Sequence, residues 1–288
     1  EQLAAKFDLT VLDVSPAATE PFAGPAKIAA SPAELGRDVE QVGICVRHDA
    51  DVTAVVAGPG GLLETMRPDT IIAVHSTVKP ATVKTLAETA KAKGVHLLDA
   101  GVSGGPMGAA AKKLVTMIGG EAAEVERVKK MVEAFSGTII HAGGTGMGMA
   151  LKLCNNLVTY MQLQAAMESV RLAIAGGLDE KLLREVMANN GNLTTAMGQY
   201  LDFCATGPAR MGQEAYMAFK DATAGLAEKG QPSAGSPLVG TSASGRRCAG
   251  SKTISRLFRP QTPGNGRHVA SPASRGLVSR WAIRCRPS

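Results

Sequence analysis

The chain has 288 residues, 45% of them apolar, enough for one large domain or two modest ones, and it holds no apolar run of the ~18 residues that a membrane-spanning helix needs. Its formal net charge of +6 is misleading, because residues 233–288 hold nine Arg, one Lys and no acid, which leaves residues 1–232 at −4. An acidic body gives no reason to expect nucleic-acid binding.

In chain order, residues 1–6 read as the end of a helix, and Leu9–Val14 as a short strand before the turn Ser15-Pro16. An acid at the end of the second strand of a dinucleotide-binding βαβ unit hydrogen-bonds the adenosine ribose. Asp13 fits that role, and its charge disfavours the 2′-phosphate of NADP; the alternative is a strand-end aspartate that caps a turn. The first strand of such a unit and its Gly-x-Gly-x-x-Gly turn are expected upstream, so the sequence reads as beginning roughly 25 residues late. Further strands are predicted at Gln41–Val46, Thr70–Val74, Val95–Leu98, Leu114–Ile118 and Thr138–His141. Helices between them, at Asp49–Val56, Ala81–Lys93 and Ala122–Phe135, predict a parallel sheet.

Gly144–Gly148 reads as a crossover into a helical region rather than a phosphate loop, because no parallel strand follows it. The helical pattern runs from Met147 to Ala175 and stops at Gly176-Gly177. Asp179–Ala188, Leu193–Cys204 and Met211–Ala227 predict three more helices. From Ser233 onward, ten Ser, nine Arg, seven Gly and five Pro leave no periodic apolar face for a core. This tail reads as translation in a shifted frame, with a basic disordered tail as the alternative. The expected division is 1–142, a dinucleotide-binding domain; 143–232, a helical substrate and dimerisation domain; and 233–288, the tail. Five cysteines (Cys45, Cys154, Cys204, Cys248, Cys285) and the histidines show no ligand spacing. No metal site is expected, and the thiols read as reduced in a cytoplasmic protein.

Two motifs carry chemistry. In Gly146–Asn156, residues Gly148, Lys152 and Asn156 fall at i, i+4 and i+8, on one helix face. The glycine offers close access to backbone, the lysine can exchange a proton, and the amide can hold a hydroxyl. A surface lysine on an ordinary helix is the alternative. In Asp99–Gly105, the Ser103-Gly104-Gly105 turn follows a predicted strand and offers backbone N–H groups and a hydroxyl to a carboxylate. A tight loop with glycines for geometry alone is the other reading.

Together the motifs resemble the β-hydroxyacid dehydrogenase family, over residues 3 to 230. Gly101 stands where the family's Asp-Ala-Pro-Val-Ser-Gly-Gly signature has proline, and Asn155-Asn156 stand where the related 6-phosphogluconate dehydrogenases carry His-Asn. The resemblance implies an α/β Rossmann-type N-terminal domain, its first strand and Gly-rich loop missing, followed by an all-α domain. It implies hydride transfer between a nicotinamide cofactor (NAD rather than NADP) and a small 3-hydroxy acid, in a homodimer or homotetramer. Lys152 would be the general acid/base. Ser103, Gly104 and Gly105 would hold the carboxylate, and Asn155 and Asn156 would orient the substrate. Asp13, Val46, Thr77 and, from the Lys220-Asp221 pair, Lys220 would face the cofactor. An ordinary lysine titrates near ~10.4, so work near neutral pH requires desolvation or a neighbouring cation. A non-catalytic relic or dimerisation scaffold of the same fold, and a nucleic-acid-associated protein that uses the basic tail, remain the other classes.

Overall fold

Short apolar runs alternating with amphipathic stretches produce one sheet with helices on both faces, seen in a computed structural model that describes residues 2–204 and 281–287. The strands are β1 (Phe7–Leu12), β2 (Lys27–Ile28), β3 (Gln41–Cys45), β4 (Ile71–Val74), β5 (His96–Ser103), β6 (Leu114–Gly119), β7 (Ser136–Gly143) and β8 (Trp281–Pro287). The helices are α1 (Pro16–Thr19), α2 (Pro32–Gly36), α3 (Asp49–Ala57), α4 (Pro80–Lys91), α5 (Gly105–Ala110), α6 (Ala122–Val132), α7 (Met147–Ala175), α8 (Glu180–Asn189) and α9 (Thr195–Cys204). The helix predicted at Met211–Ala227 lies outside the described residues.

The strand order is β2-β1-β8-β3-β4-β5-β6-β7. β1 pairs with β2, β3 with β4, β4 with β5, and β6 with β7, all in parallel. The expectation of a wholly parallel sheet needs two corrections. β5 and β6 are antiparallel, Asp99 facing Gly119 and Ser103 facing Val115. Their connection, residues 104–113, is shorter than the dozen or so residues of a parallel crossover. The second antiparallel strand is β8, which lies between β1 and β3, pairing Thr10 with Arg284 and Gly43 with Ile283. Seven residues of a stretch whose composition predicted no core thus fill a central position in the sheet.

All four residues of β4 are buried, as a strand covered on both faces requires. On one face Val42, Ile44, Ile72, Val74 and Leu97 pack with Leu35, Val52, Val83, Leu86 and Met149, so α2, α3, α4 and the start of α7 lie there. On the other face Leu9, Ile71, Leu98, Ala100 and Ile118 pack against Val125, Val128, Met131 and Val132 of α6. β5 therefore divides its residues by parity: Leu97 faces α7, while Leu98 and Ala100 face α6. At 1.5 Å per residue the 29 residues of α7 reach about 43 Å, well beyond the sheet. Its second half buries Ala166 and Val170 against Met187 of α8 and Leu201 of α9. No helix among the described residues is long and apolar enough to cross a membrane.

Candidate active site

The parity of β5 builds one side of the site. Asp99, Gly101 and Ser103 follow Leu97 at steps of two, and all three meet α7. Asp99 is fully buried and receives the first turn of the helix: Gly146 N–H donates to its Oδ1 at 2.7 Å, and Met149 N–H to its Oδ2 at 2.5 Å. Burial pushes this carboxyl above the usual carboxylate range, while the N–H groups of Gly146, Met149 and Gly148 pull it back down. The glycines make the approach possible. A Cβ on Gly119 would stand 2.5 Å from Asp99 Oδ1, and one on Gly148 would stand 2.5 Å from the Met117 carbonyl oxygen. The role expected for Gly148, access for a substrate, is therefore corrected: this glycine faces the backbone of β6.

One turn further on, Lys152 lies over Gly101. A Cβ at position 101 would sit 3.0 Å from Lys152 Cβ and 3.1 Å from its Cγ, so a larger residue would crowd the lysine stem. Lys152 is only 7% exposed and Asn156 only 6%. That excludes the surface-lysine reading. At the end of β5, Asn155 Nδ2 donates to Ser103 Oγ at 3.2 Å and reaches Asn156 Oδ1 at 3.5 Å. Ser103, about fifty residues away in sequence, is thereby brought to Lys152, Asn155 and Asn156 along one strand–helix seam.

The Asp99–Gly105 segment differs from the turn expected of it. Asp99 to Ser103 belong to β5, whose pairing with β6 carries the strand five residues past Leu98. Gly104 (φ 124°) and Gly105 (φ 60°) make the actual turn, in a backbone region that favours glycine, and Gly105 opens α5. Both are exposed at the end of the strand.

The other candidates sit on the same edge of the sheet. β1, β3, β4 and β5 run in one direction, so their carboxyl ends place Asp13, Val46, Thr77 and Ser103 along one rim. Asp13 Oδ1 accepts the Ser15 N–H at 2.8 Å, the turn-capping bond that was its alternative reading. The Val46 N–H donates to Ser76 Oγ at 2.7 Å, and the Val46 side chain is partly buried against the core under β3 and β4. Lys220 lies outside the described residues. His75, at the same strand end, has its Nδ1 2.8 Å from the Ala100 carbonyl oxygen and its ring edge-on to Phe135. A carbonyl only accepts, so Nδ1 carries the proton; burial pushes the ring's pKa below its ordinary value. Among the described residues, no three His, Cys, Asp or Glu side chains gather as a metal site would require.

The sequence motif assigns Asp99 no task, and the structure makes it the anchor of the first turn of α7. Its signal was available: it shares the strand parity of Gly101 and Ser103 and directly follows a buried apolar run.

The geometry has relatives. Residues 1–144 match the model of the NAD binding domain of 6-phosphogluconate dehydrogenase. An uncharacterized oxidoreductase of Mycobacterium tuberculosis is 37% identical over 201 residues, 69% of this chain and 68% of that protein. An NAD-dependent L-serine dehydrogenase of Pseudomonas aeruginosa is 33% identical over 69% of this chain and 67% of its own length. The chain thus spans about two thirds of these relatives. Among solved structures, a Mycobacterium tuberculosis 3-hydroxyisobutyrate dehydrogenase with L-serine superimposes with a TM-score of 0.66 at 26% identity, covering 79% of this chain and 80% of that one. The Rossmann-like sheet, the helical region led by α7 and these matches together place the chain in the β-hydroxyacid dehydrogenase family, with the NAD-binding domain of its 6-phosphogluconate dehydrogenase relatives.

Proposed function

We propose that this protein is an NAD-dependent dehydrogenase of small 3-hydroxy acids in which Lys152 is the general acid/base. The observation that carries the reading is the lysine's placement: nearly buried, over Gly101, beside the Ser103–Asn155 hydrogen bond. The proton chemistry follows from that position. Oxidising an alcohol carbon leaves a protonated carbonyl unless the O–H proton departs at the same time, so an amine in reach of the hydroxyl lowers the barrier. Lys152 Nζ would take that proton, and return it in the reverse direction. Ser103 Oγ and the N–H groups at Gly104 and Gly105 would hold the substrate carboxylate, fixing which carbon faces the lysine. Asn155 and Asn156 would orient the hydroxyl from the neighbouring turn of α7.

The rim fits a dinucleotide. Asp13 stands where a strand-end carboxylate takes the adenosine ribose hydroxyls, and its charge opposes a 2′-phosphate, favouring NAD over NADP. Val46 and Thr77 mark the path between the ribose end and the seam, and Lys220 is the further candidate from the helical region. When bound, the nicotinamide supplies the hydride acceptor.

L-serine and 3-hydroxyisobutyrate, named for the relatives above, are both 3-hydroxy acids and head the list of substrates to try. The test has two parts. NADH should raise the melting temperature in a saturable manner, and one or more 3-hydroxy acids should drive NAD reduction. Thermal stabilisation without turnover on any 3-hydroxy acid would leave a dinucleotide-binding scaffold, and the absence of both responses would overturn the assignment.

A further inference from the structure

We infer that Asp99 is the positioning residue that sets the catalytic lysine, by fastening the first turn of α7 to β5 so that Lys152 comes to rest over Gly101. Three contacts repeat along this seam in register. Asp99 meets Gly146 and Met149, Gly101 meets Lys152, and Ser103 meets Asn155. Steps of two on the strand thus match steps of three on the helix, beginning at Met149. Sliding α7 by one residue would break all three at once.

Only the first of these contacts is strong. Two backbone N–H donors on the two oxygens of one buried carboxylate fix both the rotation and the axial position of a helix end, which a single bond or an apolar contact would not. The surroundings leave that carboxylate no alternative seat. Gly119 brings backbone against it, where a Cβ would stand 2.5 Å from Oδ1, and the Gly148 N–H also points to the carboxylate. Met149, whose N–H is one of the two donors, is itself fully buried in the cluster that holds α4 and β4. The helix end is therefore held by Asp99 from one side and by a packed side chain from the other. Lys152 follows Met149 by three residues, within one turn of the anchor. Asp99 touches no reacting atom in this account; it acts through the lysine.

The reagent that reads this is an amine-reactive acylating label, with modification at Lys152 followed peptide by peptide in the full-length protein. Asp99→Asn presents an amide NH2 where an acceptor oxygen stood, and it should raise the labelling rate of Lys152 at least fivefold while the circular dichroism spectrum is unchanged. Val128→Ala, in α6 on the opposite face of the sheet, lowers stability without touching the seam and should leave that rate within twofold. If Asp99→Asn fails to fold, Asp99→Ser, which keeps one acceptor, should raise the rate at least twofold. A Lys152 rate equal to wild type in whichever Asp99 variant folds overturns the inference, as does an equal rise in Val128→Ala.

A kinetic arm rests on the proposed dehydrogenase activity: Asp99→Asn should lower kcat ten- to a hundredfold with NADH affinity within twofold. If Lys152→Ala keeps its kcat, the dehydrogenase reading fails while the labelling result still stands. If Lys152→Ala is dead and Asp99→Asn labels as wild type, only the Asp99 inference fails.

Discussion

The seam between β5 and α7 and the rim formed by the ends of β1, β3 and β4 are built by opposite means. The seam is continuous: the side chains of Asp99, Ser103, Lys152, Asn155 and Asn156 come from one strand and one helix, and each is held by burial or by a neighbour at hydrogen-bond distance. The rim is assembled from strand ends far apart in sequence, its residues partly exposed and its geometry set by the sheet. A group that must meet a reacting hydroxyl within an ångström belongs on packed secondary structure. A group that holds a large cofactor through many weak contacts tolerates the looser frame.

Substitutions in the two regions should accordingly differ in what they change. The largest effect is expected from Lys152→Ala, which should lower kcat by about two to four orders of magnitude while the NADH dissociation constant stays within about twofold. Steady-state kinetics and a fluorescence titration measure both. Next, Asp13→Asn should weaken NAD by about tenfold, the loss of one charge-assisted hydrogen bond, with little change in kcat at saturation. The same variant should lose its preference for NAD over NADP. Should it instead lower kcat and spare affinity, the division between rim and seam would collapse. Gly101→Ala sharpens the contrast from the strand side. Its Cβ would crowd Lys152, so kcat should fall about tenfold with cofactor binding unchanged. Gly148→Ala pushes the helix off β6 and should cost about 1–3 kcal/mol of stability in a denaturant titration.

The smallest effect concerns His75, at the rim but turned into the sheet. Burial holds its pKa below the ordinary histidine value. The folded state therefore binds fewer protons than the unfolded one. The stability His75 contributes is complete above the unfolded value of ~6.5 and is lost as pH falls through the lower folded value. His75→Gln, which retains a donor for the Ala100 carbonyl, should flatten the decline of melting temperature below neutral pH. A decline as steep as in wild type would remove His75 as its source.

What could be read from sequence follows the same division. Periodicity locates six of the eight strands among the described residues because each is a contiguous apolar run, and the spacing of Lys152 and Asn156 shows a shared face because a helix repeats locally. The end of β5 was misjudged. Asp99, Gly101 and Gly104 look like a loop in composition, and only pairing with β6 makes the segment to Ser103 a strand. Gly148 reads as substrate access because nothing in a sequence states which surface a glycine clears, and only the fold turns it to β6. β8 was hidden altogether, since its pairing partners lie more than two hundred residues away and its neighbourhood carries the composition of a disordered tail. β2 is two residues long and defined by its partner. Local pattern thus finds elements, and long-range pairing decides where they end.

The most direct measurement is chemical rescue of Lys152→Ala by small primary amines, followed through the absorbance of the reduced nicotinamide. If the ammonium group at the seam manages the hydroxyl proton, the amines should restore turnover in a saturable way that depends on their basicity and size. Wild-type turnover in the variant without any added amine would contradict the account outright.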